Sequence, residues 1–264
     1  MKRFLLAIAL LLPGLAAAQT RIVGGPGGGC IAGAAELPPQ GPGFQTIRNS
    51  RSFYWGHPDT IAALQLLAQR ARAAGLADLY MNDISKPRGG PFPGVHLSHM
   101  LGLDADVWLD VHPKPVLTPA QRDRLEVDSL VRADGRGVDL SRWSPQHATL
   151  LRLAAELPGV DRVLVNPAIK KQLCDTVTGD RTWIRAIRPW YGHAAHMHIH
   201  FRCPPGQPEC TDQAPRPPGE GCDASLQWWF DQLDAPAKPA GPARPPRPIS
   251  LPAACTAIMA GTRD

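Results

Sequence analysis

The sequence predicts a single α+β domain in which a small antiparallel sheet is flanked by helices and by long, disulfide-clipped loops. Three observations predict it. Residues 103–109 and 196–201 alternate apolar and polar side chains in the manner of strands. Stretches of helical periodicity are interspersed between short apolar runs. Six cysteines are spread through a chain holding 29 prolines and 25 glycines, too many for long uninterrupted elements.

The amino terminus reads as a signal peptide over residues 1–18. Met1, Lys2 and Arg3 form a positive end, residues 4–15 are an apolar run broken by Pro13, and Ala16-Ala17-Ala18 offers a small-residue cleavage site. The run falls short of the roughly 20 apolar residues that span a bilayer, so no membrane span is expected in the mature domain at 19–264. All six cysteines lie beyond the cleavage point, and an even number in an exported chain predicts three disulfides. Arithmetic alone leaves about 15 pairings open. A zinc-thiolate cluster is disfavoured because no C-x-x-C pair occurs.

The formal charge of +5 falls to +3 once Lys2 and Arg3 are removed. The remaining basic residues are scattered and do not interleave with aromatics, which argues against a nucleic-acid partner. A mild positive charge suits work beside an anionic polymer such as a cell wall.

Along the mature chain, the Gly/Pro-rich segment 24–43 surrounds Cys30 and has no periodic apolar face. Residues 59–74 carry Ile61, Leu64 and Ala68 on one stripe, with Gly75 as a stop; this is a helix. A short strand at 76–82 and a polar Gly-Pro loop at 83–94 follow. The strand at 103–109 sets Leu103, Ala105, Val107 and Leu109 against Asp104, Asp106 and Trp108, a face suited to lining a cleft. Helices are expected at 145–157, 167–174 and 180–187, with a strand at 160–165. On the last strand His196, His198 and His200 alternate with Met197, Ile199 and Phe201, opposite the strand of Asp106. The Pro/Ala-rich segment 232–252 leads to Cys255, and a disulfide between the two ends would clip both onto the domain.

Six of the nine histidines fall in two short clusters, His96/His99 and His193/His196/His198/His200. A catalytic zinc needs about three protein ligands and an open position. His99, Asp106 and His198 supply two nitrogens and one oxygen, with Gly102 permitting a sharp turn between the first two. The small sheet is thus expected to carry a metal site.

Four strings, Y-W-G-H-P-D (54–59), G-V-H-L-S-H-M-L-G-L-D-A-D (94–106), V-N-P-A-I-K-K-Q-L-C (165–174) and R-P-W-Y-G-H-A-A-H-M-H (188–198), resemble the penicillin-insensitive murein endopeptidases. That family is similar in its metal site to lysostaphin-type endopeptidases and D-Ala-D-Ala carboxypeptidases. The resemblance runs from Cys30 through C-D-A-S-L-Q-W-W-F (222–230) to Cys255. It implies one Zn2+ per chain held by His99, Asp106 and His198, with His196, His193 and His96 as catalytic histidines. It also implies disulfides Cys30–Cys255, Cys174–Cys222 and Cys203–Cys210. The implied activity is periplasmic hydrolysis, by metal-activated water, of D-Ala to meso-diaminopimelate amides in crosslinked peptidoglycan stems. No G-x-S-x-G, S-x-x-K or K-T-G string suggests a serine nucleophile. A D-Ala-D-Ala carboxypeptidase or dipeptidase and a non-enzymatic wall-binding module are the rival readings. A choice between DD and LD bonds, the oligomeric state and the roles of Asp104 and His200 stay open. Arg48, Arg51, Arg88 and Arg188 are candidates for holding a substrate carboxylate, against the commoner salt-bridge or solvation duty of each singly, and Trp108, Trp183 and Trp190 for flanking the groove, against the core, where aromatics at such places more often lie.

Overall fold

A hairpin begins the described chain: β1 (Arg21–Gly25) pairs antiparallel with β2 (Gly28–Ala32), setting Val23 opposite Cys30. The computed structural model describes residues 20–92, 96–235 and 248–261; the expected signal peptide and residues 236–247 of the Pro/Ala-rich segment lie outside them. The Gly/Pro-rich segment is more ordered than its composition suggests. Ile22 and Ile31 are fully buried in the main core, while Val23 and Cys30 form a second small cluster with Cys255.

The hairpin is followed by short strands β3 (Ala35–Glu36), β4 (Gln40–Gly41), β5 (Phe44–Thr46) and β6 (Trp55–Gly56). Helix α1 (Pro58–Ala73) has proline in its first turn, and His57 Nδ1 accepts the Asp59 amide at its N-terminus. Its end is a left-handed Gly75, after which the Leu76 amide reaches back to the Ala71 carbonyl. This closing turn uses up Leu76, so the next strand starts later than expected, as β7 (Leu79–Asn82). Then come β8 (Asp104–Trp108), α2 (Pro119–Asp123), α3 (Pro145–Ala155), β9 (Val160–Val165) and α4 (Pro167–Thr176). β10 (Ile187–Pro189), β11 (His196–Phe201), α5 (Ala224–Asp234) and α6 (Ala253–Ala260) complete the order. The helix expected at 180–187 is a single 3-10 turn, Thr182–Ala186, because β10 takes over at Ile187.

The expected small antiparallel sheet is corrected by the structure. The residues of the expected metal site stand on or beside a large seven-stranded mixed sheet, ordered β10-β9-β11-β8-β7-β5-β4. β10 runs parallel to β9 and β5 parallel to β7; the four central strands alternate in direction. The outer strands are only two or three residues long and carry no readable alternation, which hides the sheet's full width from sequence.

Register gives the sheet two chemically distinct faces, because directly opposed residues point the same way. Met197 opposes Val107, which opposes Met81, and Ile199 opposes Ala105 and Val163. These side chains join Ile61, Leu64, Leu67 and Ala71 of α1 and Leu150, Leu151 and Ala154 of α3 in one buried core. Burial of each large aliphatic side chain there contributes about 1.5–3 kcal/mol. The opposite face carries the polar residues.

Three disulfides link Cys30 to Cys255, Cys174 to Cys222 and Cys203 to Cys210, with Cα separations of 5.6, 5.6 and 5.8 Å. The first ties α6 to the starting hairpin. Among the described residues no helix is long and apolar enough to cross a membrane.

Candidate metal centre

On the polar face, His198 of β11 stands directly opposite Asp106 of β8, with His196 opposite Trp108 and His200 opposite Asp104. The remaining groups arrive from loops. His99 comes from the turn before β8 and holds a left-handed backbone, φ 68°. Gly102, φ 69°, completes that turn: a Cβ there would lie 2.8 Å from the Gly56 Cα, so only glycine lets the two backbones touch. Asp83 and His193 are also left-handed, at φ 39° and 44°. Such conformations cost of order 1–3 kcal/mol and persist where surrounding contacts enforce them.

The hydrogen bonds fix which nitrogen His99 offers. His99 Nδ1 lies 3.0 Å from the Ile84 carbonyl, which can only accept, so Nδ1 carries the proton and Nε2 a lone pair. That Nε2 is buried without a hydrogen-bond partner and sits 3.5 Å from Asp106 Oδ1. His198 Nε2 donates to Asp104 Oδ1 at 2.9 Å, and its Nδ1 faces Asp106 Oδ1 at 3.2 Å. Asp104, fully buried, also accepts from His200 Nδ1 at 2.8 Å and from the His99 backbone amide at 3.1 Å. It therefore ties together both strands and the His99 turn.

Three further histidines border this cluster. His96 Nε2 donates to Asp83 Oδ2 at 2.8 Å, and Arg51 Nη1 reaches the same oxygen at 3.2 Å. The His96 and His99 rings are 4.2 Å apart. His193 Nδ1 donates to the Tyr191 carbonyl at 3.1 Å, which orients its ring 5.1 Å from that of His196. His196 in turn rests 5.5 Å from the Trp108 ring. The other three histidines do local work: His57 and His147 cap helices, and His112 pairs with Asp110 at the surface.

Electrostatics sort these groups. Burial would raise the Asp106 carboxyl, yet His99, His196 and the bond from His198 hold it well below the ordinary range. Asp104 is likewise held low, against burial, chiefly by His200 and His198. Burial opposes charge on His198, but the two carboxylates outweigh it and raise its pKa to about 10. His193 is pushed down to about 4 by burial and by its neighbours His198 and His196, and His196 is lowered mainly by burial. Both are neutral imidazoles at neutral pH.

Ligand-atom spacing defines two groups suited to a divalent cation, His96/His99/Asp106 and Asp104/His198/His200. They adjoin through the His198–Asp106 contact. The second is internally saturated, since Asp104 already accepts three hydrogen bonds. The first contains the orphaned Nε2 of His99, whose burial without a partner is costly unless something electropositive meets it. A carboxylate and imidazole lone pairs of this kind fit a zinc-type ion.

All six expected site residues border one groove of about 720 Å³. Trp190 lines it and is 53% exposed, whereas Trp183 is buried in the core among apolar residues. Asp83, Arg162 and Trp229 are contributions that sequence reasoning did not single out; Asp83 follows a strand in a loop and carries no motif signal.

Residues 22–260 match the family model described as penicillin-insensitive murein endopeptidase. The chain is 44% identical over 232 residues to a penicillin-insensitive murein endopeptidase of Klebsiella pneumoniae subsp. pneumoniae, covering 88% of this chain and 83% of that one. It is 44% identical over 238 residues to that of Salmonella arizonae, covering 90% and 85%.

Proposed function

The chain belongs to the penicillin-insensitive murein endopeptidase family, and on that premise we propose that it is an exported zinc peptidase of the periplasm. Its substrate is crosslinked peptidoglycan, cut at the amide between D-Ala and meso-diaminopimelate. The reading includes a signal peptide at 1–18 and one catalytic domain at 19–264. The observation that carries it is the unpartnered, buried lone pair of His99 Nε2 beside Asp106 and His198, at the base of a groove.

In this reading His99 Nε2, the Asp106 carboxylate and His198 Nδ1 hold one zinc per chain. Bound there, zinc supplies a Lewis acid that polarises the scissile carbonyl and lowers the pKa of a water toward about 7. Asp104 keeps His198 Nε2 protonated, so that Nδ1 is the nitrogen turned to the site. His196 or His193, both neutral, would take the proton during attack and return it to the departing amine. His96, anchored by Asp83, completes the histidine wall. No cysteine nucleophile is available among the described residues, since all six cysteines are paired as disulfides.

Mass spectrometry of products from purified crosslinked muropeptide dimers, with and without a zinc chelator, tests the proposal. Chelator-sensitive conversion of dimers to monomers is expected. Loss of terminal D-Ala alone would favour a carboxypeptidase, and murein binding that survives chelation without products would favour a wall-binding module. His198→Ala should lose zinc and turnover together, whereas His196→Ala should keep zinc and lose about 10²–10⁴-fold in rate. A fully active His198→Ala enzyme would overturn the assignment.

A further inference from the structure

Arg188 stands in the same register row as the metal-site residues. It opposes Leu164, which opposes His198, which opposes Asp106, so all four side chains share the polar face. Two strand spacings separate Arg188 from His198, about 10 Å between backbones. Its side chain lines the same groove.

What sets Arg188 apart from Arg162, the other arginine of the groove, is its lack of a partner. Arg51 pairs with Asp83, Arg181 with Glu220, and Arg162 with Asp161. The guanidinium of Arg188 makes no hydrogen bond and no ion pair among the described residues, and its Nη1 is buried with no acceptor. It is held in place by packing: a Cβ at Gly221 would lie 2.9 Å from that nitrogen. Its surroundings add positive charge. Arg162 and Lys170 are close enough to act on it or be acted on by it, and Asp223 is the one acid that supports its charge. Nearby, the single carboxylate of Asp161 already serves Arg162, Arg202 and Arg216. This edge of the groove therefore carries cationic charge that the protein itself does not neutralise. A half-buried guanidinium without a counter-ion costs free energy unless a ligand supplies one, and a planar fork of donors matches a carboxylate.

We propose that Arg188 is the residue that binds a free carboxylate of the peptide stem, and that it selects stems bearing that carboxylate in ionised form. The proposal rests on the murein endopeptidase reading for the identity of the ligand. Arg162, committed to Asp161 and to the Ala214 carbonyl, adds potential without a direct contact.

The test is equilibrium binding of a soluble stem tetrapeptide to the zinc-loaded protein, followed through groove tryptophan fluorescence. A second ligand is the same peptide with its carboxylates converted to amides. The wild type should bind the carboxylate form at least tenfold more tightly than the amide. Arg188→Gln should lose that preference and leave amide binding within twofold, while Arg188→Lys, which keeps charge but not the fork, should fall between. Equal wild-type affinity for the two peptides would overturn the proposal even if Arg188→Gln failed to fold, as would an unchanged preference in a folded Arg188→Gln. Hydrolysis of crosslinked dimers by the wild type is scored separately. Selective carboxylate binding without hydrolysis would sink the endopeptidase reading and leave Arg188 as a carboxylate site, whereas hydrolysis without selectivity would do the reverse.

Discussion

Replacing Asp104 with asparagine should weaken zinc binding although Asp104 need not touch the ion. Its carboxylate accepts three hydrogen bonds, from His198 Nε2 at 2.9 Å, His200 Nδ1 at 2.8 Å and the His99 amide at 3.1 Å. An asparagine has one acceptor oxygen, and its NH2 would meet a donor wherever the second oxygen stood. At least one of those donors is left buried and unsatisfied, and the negative charge that keeps His198 Nε2 protonated disappears. Losses of this kind behind a ligand histidine cost 10–100-fold in metal affinity, about 1.4–2.8 kcal/mol. Because the three donors belong to two strands and the His99 turn, the loss is also felt in stability, at about 1–3 kcal/mol per unsatisfied group. Competition against a chromophoric chelator gives the zinc Kd, and thermal unfolding with and without zinc separates the two effects. A zinc Kd within twofold of the wild type, in a protein that has lost stability, would refute the claim that Asp104 orients His198.

Two other perturbations probe the frame. Replacing Cys30 and Cys255 together with serine opens a loop of sequence separation 225, for which chain entropy predicts at most about 5 kcal/mol of lost stability; the remaining two disulfides reduce that figure, and denaturant unfolding should show a lower midpoint. Lys170 is buried, donates to the Ile184 and Glu220 carbonyls, and has its pKa lowered to about 7, chiefly by burial. Between about pH 7 and 10.5 the unfolded chain keeps a proton that the folded state has released, so this group makes stability rise with pH across that window, by at most about 1.4 kcal/mol per pH unit. Below pH 7 both states are protonated and the slope from this group vanishes. Chemical unfolding at pH 7 and pH 9 should show that increase in the wild type and a smaller one in Lys170→Met.

The parts of the site that lie on strands were readable because alternation is a local property. Asp104, Asp106 and Trp108 had to share a face, as did His196, His198 and His200, whatever the rest of the chain did. Which residue meets which is a matter of register, and register depends on contacts far apart in sequence. Hence the pairing of Asp104 with His198 and His200 stayed open until the strands were placed. The sheet's extent was hidden for a different reason: β4, β5 and β10 are too short for a pattern, and two of them pair in parallel with strands distant along the chain. Asp83 was invisible because a loop aspartate with φ 39° resembles any turn residue until His96 and Arg51 converge on it. Trp183 is a converse case, an aromatic near a candidate groove that belongs to the core, as most aromatics at such places do.

The alternation on β8 and β11 has one more consequence. Ala105 and Val107 flank Asp106, and Met197 and Ile199 flank His198, so each of these four core residues is the immediate chain neighbour of one that faces the groove. Stability and chemistry are written on the same two strands, in alternate letters. Enlarging Ala105 or trimming Ile199 would displace the backbone from the greasy side, and imidazoles that never touched the altered atom would move with it.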